Sequence, residues 1–314
     1  MASKIYDLII IGGGIAAHTA AIYAARAKLD LIVISALEQD QLSQTGIVEN
    51  WPGSPKGIFG AELVANTKKQ AESFGAKYVY EKAISFENKK AYFEVLTENA
   101  KYSALSVIVA TGASARKLGI PGESKFFGKG VSVCATCDAS FYRDKIVAVI
   151  GGGDSAMEES LHLVKFAKKV YLIHRRDKFR ASKIMQERVI KMKNKIEIML
   201  DSAPIEIVGD KKVSGIKIKN VETGKITEIK LDGVFLAIGH IPNTEFLKGK
   251  IKLDEEGYII TDKFSRTSIE GVYAAGDVQD RFFRQAITSA GAGCQAAIQA
   301  EKYVEERKAE KKRG

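Results

Sequence analysis

Two of the three cysteines in this 314-residue chain stand three positions apart, as Cys134-Ala135-Thr136-Cys137, and an acid, Asp138, follows directly. Thiol–disulfide exchange needs a thiolate nucleophile and a group that can give or take a proton, so this short run is chemically complete for that reaction. Two small apolar residues packed in a core would be the bland alternative, since free cysteines are often buried. Cys294 stands apart and reads as packing. A zinc site does not fit the pair: no second pair follows, and His18, His162, His174 and His240 are scattered, so no metal is expected.

A second group of residues could hold phosphate. Gly12-Gly13-Gly14 and Gly151-Gly152-Gly153 each open a G-x-G-x-x-A motif that closes on Ala17 and Ala156. Glycines lack a Cβ, so a pyrophosphate can approach the unpaired N–H groups and the positive dipole end of the helix that follows. The surrounding elements repeat as well. A strand over 5–11, an alanine-rich helix over 15–27 and a strand over 31–35 are followed later by the same order at 145–150, 154–168 and 169–174. Gly12, Gly14, Ala17 and Ser35 match Gly151, Gly153, Ala156 and His174, each offset by 139 positions. Two turns in βαβ context imply two dinucleotides.

The residues after the second strand of such a unit choose the nucleotide. In the second copy they read His174-Arg175-Arg176-Asp177-Lys178-Phe179-Arg180, with three guanidiniums suited to a 2′-phosphate, so NADPH is expected there. In the first copy the position is the neutral Ser35 with Glu38 following, which favours an adenosine without that phosphate, as in FAD or NAD. Redox chemistry selects FAD: a hydride donor and a dithiol need a carrier between them that can form a thiol adduct, and flavin has that ability.

Composition bounds the setting. The 48 Lys+Arg against 38 Asp+Glu give a formal charge of +10, and 46% hydrophobic with 27% charged residues marks a folded, soluble chain of about two domains. The apolar run 8–15 is too short for a membrane span and lacks signal-peptide features. Three cysteines with one reactive pair suit a reducing cytoplasm. The arginine cluster is explained by a 2′-phosphate and has no interleaved aromatic platform, so nucleic acid is not an expected partner. The basic tail reads as a solvated helix end.

Taken in order, several blocks resemble the low-molecular-weight thioredoxin reductases of bacteria and archaea, which are NADPH-dependent flavoproteins. The blocks are 12–27, Val48-Glu49-Asn50-Trp51-Pro52-Gly53, Ala110-Thr111-Gly112-Ala113, 134–138, 151–159, 174–180, Gly239-His240-Ile241-Pro242-Asn243, Ala275-Gly276-Asp277 and Arg284-Gln285-Ala286. The resemblance implies an α/β fold of two Rossmann-like, three-layer nucleotide-binding domains, the second inserted in the first. The FAD domain would be 1–113 with 242–314, the NADPH domain with its C-x-x-C 114–241, and a helix over 285–306 would return the chain to the FAD domain. It implies that FAD is held by Gly12, Gly14, Ala17, Ser35, Glu38, Gln41, Asn50, Thr111, Gly112, Asp277, Arg284, Gln285 and Ala286. NADPH would be held by Gly151, Gly153, Asp154, Ser155, Ala156, His174, Arg175, Arg176, Arg180 and Gly239. Cys137 would face the flavin, Cys134 would exchange with thioredoxin, Asp138 would move the proton, and the protein would be a homodimer.

The chain departs from the family pattern at three places. Ile15-Ala16-Ala17-His18 stands where Pro-Ala-Gly and an aromatic or aliphatic residue are usual, Gln39-Asp40 stands where Gly-Gly is common, and Ala139-Ser140 follows the acid where glycine is usual. These bear on FAD affinity, on the adenosine contacts and on partner choice. A ferredoxin or flavodoxin reductase of the same fold would have no use for the cysteine pair. An alkyl hydroperoxide reductase component would carry a further N-terminal dithiol region, which is not expected in a chain whose first strand starts at Ile5. A non-turnover redox sensor would need no hydride donor, and hence no arginine cluster. Because one domain would carry both hydride donor and dithiol, a rotation about linkers near 112–121 and 239–242 is expected.

Overall fold

The computed structural model of the chain describes residues 4–36 and 40–313. It divides into two compact units, Met1–Ser114 with Ile241–Gly314, and Ala115–His240. Each is organised around an apolar strand that runs into a glycine turn.

In the first unit that strand is Ile5–Ile11, whose residues from Asp7 onward are all buried. It pairs in parallel with Leu31–Ile34 on one side and Lys101–Val109 on the other, and the parallel sheet extends to Lys77–Val79 and Val272–Ala274. Strands covered on both faces read as continuous apolar runs, as Leu8–Ile11 does after the ion-paired Asp7. One face is covered by helices Ile15–Arg26 and Ala286–Arg313. The other carries Phe86, Phe93 and Val95 from the antiparallel strands Ala83–Asn88 and Phe93–Thr97. The alanines of the first helix serve close packing: a Cβ on Gly293 would lie 2.2 Å from the Ala16 carbonyl oxygen. Larger side chains on either helix would push their axes apart.

The second unit repeats this plan. Its parallel sheet runs Val131–Ser132, Gly233–Leu236, Ile146–Ile150, Lys169–Ile173, Ile196–Met199 in spatial order. Helices Asp154–Leu163 and Lys183–Lys191 pack on one face. A three-stranded antiparallel sheet, Ser202–Gly209, Val213–Asn220 and Ile226–Lys230, contributes Ile207, Ile216 and Ile229 to the core on the other. Helix, parallel sheet and antiparallel layer follow one another in both units. Among the described residues no helix is long and apolar enough to cross a membrane.

Two helices differ in length from the sequence reading. The one expected over 154–168 stops at Leu163, because the chain must turn back to start the next strand: the Asp144 N–H bonds the Phe166 carbonyl and the Lys168 N–H bonds the Lys145 carbonyl, at 3.0 and 2.8 Å. The last helix continues from Ala286 to Arg313, well beyond 306. Its tail is not solvated throughout. Lys308 Nζ reaches both carboxylate oxygens of the buried Asp7 at 2.7 Å, and Asp7 also accepts the Asp30 N–H at 2.9 Å.

This tie gives a first prediction. Lys308→Met leaves Asp7 with its backbone donor alone, and with one partner half exposed the loss is screened to about 1 kcal/mol. Amide hydrogen exchange in the last turns of the final helix should accelerate about fivefold, while the rest of the first unit keeps its protection.

Candidate functional site

The three glycines of each turn are needed for different reasons. A Cβ on Gly12 would lie 2.1 Å from the Ala110 carbonyl oxygen, and one on Gly151 would lie 2.3 Å from that of Ala237. The first glycine of each turn therefore lets the neighbouring strand pass. The second packs on the end of the next strand: a Cβ on Gly13 would sit 2.1 Å from Ser35 Oγ, and one on Gly152 within 2.6 Å of the His174 ring. The third faces open space. Nothing lies within 4 Å of a Cβ on Gly153, and the nearest neighbour at Gly14 is Asp40 Cβ at 3.8 Å. Protein packing does not demand glycine there, whereas close approach of a pyrophosphate does, so both turns fit a dinucleotide.

Around the first turn the fold gathers most of the residues expected to hold FAD. Gly12, Ser35, Thr111 and Asp277 follow the carboxyl ends of parallel strands, where open α/β sheets bind their ligands. Gln41 Nε2 donates to the Ala113 carbonyl. Asn50 Nδ2 donates to Gln285 Oε1 at 3.3 Å, tying two distant segments together. Thr111 and Asn243 are joined twice at 2.8 Å, hydroxyl to carbonyl and amide to carbonyl, beside Gly112 with its left-handed φ of +68°. Asp277 accepts the Ser289 hydroxyl at 3.0 Å. Arg284 lies just before the last helix, also left-handed with φ +48°, and Ala286 starts that helix. Ala17 is fully buried under the turn. Glu38 lies outside the described residues.

Asp277 stands in an unusual electrostatic position. Burial raises its carboxyl to about 6; the Ser289 hydrogen bond and the Arg284 charge oppose this, while Asp280 adds to it. Such a carboxylate is costly to bury without further hydrogen-bond donors, which ligand hydroxyls would supply.

At the second turn, Ala156 is buried against Gly151, and Ser155 follows Asp154 into the helix. Asp154 Oδ1 accepts both the N–H and the hydroxyl of Ser182, each at 2.8 Å. The Gly152 carbonyl accepts the N–H groups of Arg180 and Ala181, at 2.7 and 3.1 Å. The loop carrying the arginines is thus stitched onto the turn from both sides. His174 sits beneath it, buried, with Nε2 on the Lys178 carbonyl at 3.1 Å and its ring stacked on Phe179. Burial lowers its pKa; the Lys178 bond opposes this, and the charges of Arg176, Arg180 and Arg175 add to the lowering. Those three arginines are exposed and free of competing carboxylate ion pairs among the described residues. Gly239 has a left-handed φ of +94°, and a Cβ there would lie 3.7 Å from Arg116 Nε.

Cys134 and Cys137 are joined as a disulfide across the start of the short helix Ala135–Asp138, their Cα atoms 5.4 Å apart. The Cys137 N–H points at Cys134 Sγ at 3.2 Å. Ser132, buried, accepts the Cys134 N–H at 3.1 Å and hydrogen-bonds Asp138. Burial raises the Asp138 carboxyl above its ordinary value, the Ser132 bond opposing, and Tyr142 behind it is pushed up to about 12 by burial and by the Asp138 and Asp232 charges. Cys294 is free, beside Tyr23.

Sequence reasoning named no role for Asn243, Ser132, Ser182 or Ser289. The first two lie inside or beside recognised blocks and carried a signal. Ser182 and Ser289 had none, since only the fold brings them to Asp154 and Asp277.

A dithiol housed in the same unit as an arginine-flanked nucleotide turn, with a second turn elsewhere in the chain, is the arrangement of a flavin-dependent disulfide reductase. Residues 6–299 match the family described as Pyridine nucleotide-disulphide oxidoreductase, and the chain belongs to that family. It is 47% identical over 313 residues to Thioredoxin reductase 2 of Arabidopsis thaliana, covering 95% of this chain and 82% of that protein. It is 48% identical over 306 residues to the thioredoxin reductase of Chlamydia pneumoniae, covering 95% and 98%. The solved thioredoxin reductase of Streptococcus pyogenes matches with a TM-score of 0.93 at 43% identity, covering 97% of this chain and 100% of that one. The dinucleotides of the family are FAD and NADPH.

Asp277 provides a second prediction. Its folded-state pKa, about 6, lies above the ordinary 3.8, so between those values the folded chain binds a proton that the unfolded chain does not. The stability that this proton contributes in flavin-free protein is present at pH 4 and is lost as pH rises through 6, by at most about 3 kcal/mol. Denaturant melts at pH 4.5 and 7.0 should show Asp277→Asn gaining stability relative to wild type at the higher pH.

Proposed function

We propose that the protein is an NADPH-dependent thioredoxin-disulfide reductase, acting as a cytoplasmic homodimer. The observation that carries this reading is the Cys134–Cys137 disulfide in the unit that also holds the arginine-flanked turn. The homodimer rests on the family resemblance and the cytoplasm on the sparse cysteines. An acidic partner would suit the formal charge of +10.

In this reading Gly12, Gly14, Ala17, Ser35, Glu38, Gln41, Asn50, Thr111, Gly112, Asp277, Arg284, Gln285 and Ala286 seat FAD. Gly151, Gly153, Asp154, Ser155, Ala156, His174 and Gly239 seat NADPH, whose 2′-phosphate is read by Arg175, Arg176 and Arg180. Asp154 and His174 act largely through the loop they hold. FAD, when bound, supplies the carrier that connects the hydride of NADPH to the disulfide.

The chain's own groups perform the exchange. In the reduced pair, the Cys137 N–H directed at Cys134 Sγ favours a thiolate on Cys134. That thiolate attacks the thioredoxin disulfide; a mixed disulfide forms as the substrate S–S bond breaks, and the departing sulfur takes up a proton. Cys137 then attacks Cys134, restoring the internal disulfide and releasing the second substrate thiol. Asp138, whose carboxyl burial raises above its ordinary value, stands next to the pair in the chain and is the group to give and recover that proton. The hydride donor and the dithiol belong to one unit and must each reach the flavin, so we propose that the second unit turns about the segments near 112–121 and 239–242 between half-reactions.

An anaerobic NADPH titration followed by flavin absorbance tests the wiring. Wild type should consume two NADPH per flavin and Cys137→Ser one. Equal consumption of one would disconnect the pair from the flavin and favour a ferredoxin or flavodoxin reductase. For cofactor choice, Arg176→Ala should raise the KM for NADPH ten- to a hundredfold, corresponding to about 1.5–3 kcal/mol for a lost charged hydrogen bond, with kcat and the KM for NADH little changed.

A further inference from the structure

Ser182 is not among the residues assigned to either dinucleotide, yet two hydrogen bonds tie it to the second glycine turn. It precedes helix Lys183–Lys191, a place where a serine hydroxyl ordinarily accepts an N–H of the first helical turn, but its side chain makes no such cap. The hydroxyl donates instead to Asp154 Oδ1 at 2.8 Å, and the Ser182 N–H donates to the same oxygen at 2.8 Å. Asp154 opens helix Asp154–Leu163 directly after Gly153. One carboxylate oxygen therefore fastens the start of one helix to the start of the other.

The fastening matters because of the arginine two residues earlier. The N–H groups of Arg180 and Ala181 both reach the Gly152 carbonyl, so three successive residues present their N–H groups to the turn. The carbonyls of this segment are held from the helix side. Gln186 Nε2 donates to that of Ala181 at 2.7 Å, and the Met185 and Gln186 N–H groups reach that of Ser182 at 3.1 Å. The Arg180 backbone is thus fixed while its side chain stays exposed. An arginine on a fixed backbone loses less freedom when its planar fork grips a phosphate. Asp154 and Ser182 are themselves exposed, so their tie adds little to the stability of the fold and its effect is local.

The first turn supplies a contrast. The position 139 residues before Asp154 is Ile15, buried and apolar. Ser43, which stands 139 residues before Ser182, gives its N–H and its hydroxyl to Asp40 of its own loop. There the pairing of aspartate with serine closes the loop on itself. In the copy that carries the arginines it fastens the loop to the glycine turn.

We propose that Ser182, held by Asp154, is a specificity-determining positioning residue: it fixes Arg180 where the guanidinium meets the 2′-phosphate, and so favours NADPH over NADH. This rests on the reading of the second turn as the NADPH seat. The test measures calorimetric affinities of the flavin-loaded, oxidised protein for NADP+ and NAD+, which bind without turnover and differ by the 2′-phosphate alone. The proteins compared are wild type, Ser182→Ala, Ser182→Thr, Arg180→Ala and the double variant Arg180→Ala with Ser182→Ala. Ser182→Ala should weaken NADP+ by about fivefold and NAD+ by less than about twofold, with thermal melting near wild type. Ser182→Thr, which keeps the hydroxyl, should recover most of that loss. Arg180→Ala should weaken NADP+ by about tenfold or more, and adding Ser182→Ala to it should cost less than about twofold further, because no guanidinium is left to position. Wild-type NADP+ affinity in Ser182→Ala would overturn the proposal. So would equal weakening of both nucleotides, the mark of a structural role, and so would additive losses in the double variant, which would separate Ser182 from Arg180. A wild-type protein that binds NAD+ as tightly as NADP+ would overturn the underlying reading as well, whereas a preference for NADP+ that survives Ser182→Ala intact overturns this inference alone.

Discussion

A backbone carbonyl occupies the place that a Cβ on Gly12 would need, and another does so at Gly151. The rest of the architecture follows from these two close approaches. Each lets the central strand lie against its parallel neighbour while the chain turns immediately into a helix, and each leaves the third glycine facing outward. The parallel sheets, buried on both faces, need helices on one side and an antiparallel layer on the other, and both units meet that need in the same way. A site built on strand ends is held by the core itself, so its geometry is as stiff as the packing beneath it.

The two units use this shared frame for different chemistry. In the second, the loop after Lys169–Ile173 is stitched to the turn by Arg180, Ala181 and Ser182, and the three guanidiniums are left exposed. In the first, a buried carboxyl, Asp277, and the paired contacts of Thr111 with Asn243 and of Asn50 with Gln285 form a hydrogen-bonding surround. Burial raises the carboxyls of Asp277 and Asp138 alike. At Asp277 this favours ligand hydroxyls that can satisfy the carboxylate, and at Asp138 it raises the carboxyl next to the disulfide.

Much of this was legible in the residues. The glycine turns, their 139-residue offset and the arginine cluster are local patterns with direct physical meaning, and the strand Ile5–Ile11 was readable to the residue because a largely apolar run ends at the glycines. The helix after the second turn was read too long, since nothing local announces that Phe166 must pair back to Asp144. The basic tail was read as solvated for the same reason, because Asp7 lies some 300 residues away along the chain.

The sequence by itself determined which chemistry the chain can carry: a sulfur pair with an adjacent acid, two phosphate-binding turns, and a charge pattern that separates one nucleotide from the other. These depend on residue type and short spacing, which survive any choice of fold. Only the tertiary structure decided which groups are charged and which are held still. Asp277 becomes a weak acid and Ser182 closes the arginine loop because burial and distant neighbours set the local dielectric and the hydrogen-bond partners. Neither quantity is encoded in the residues next door.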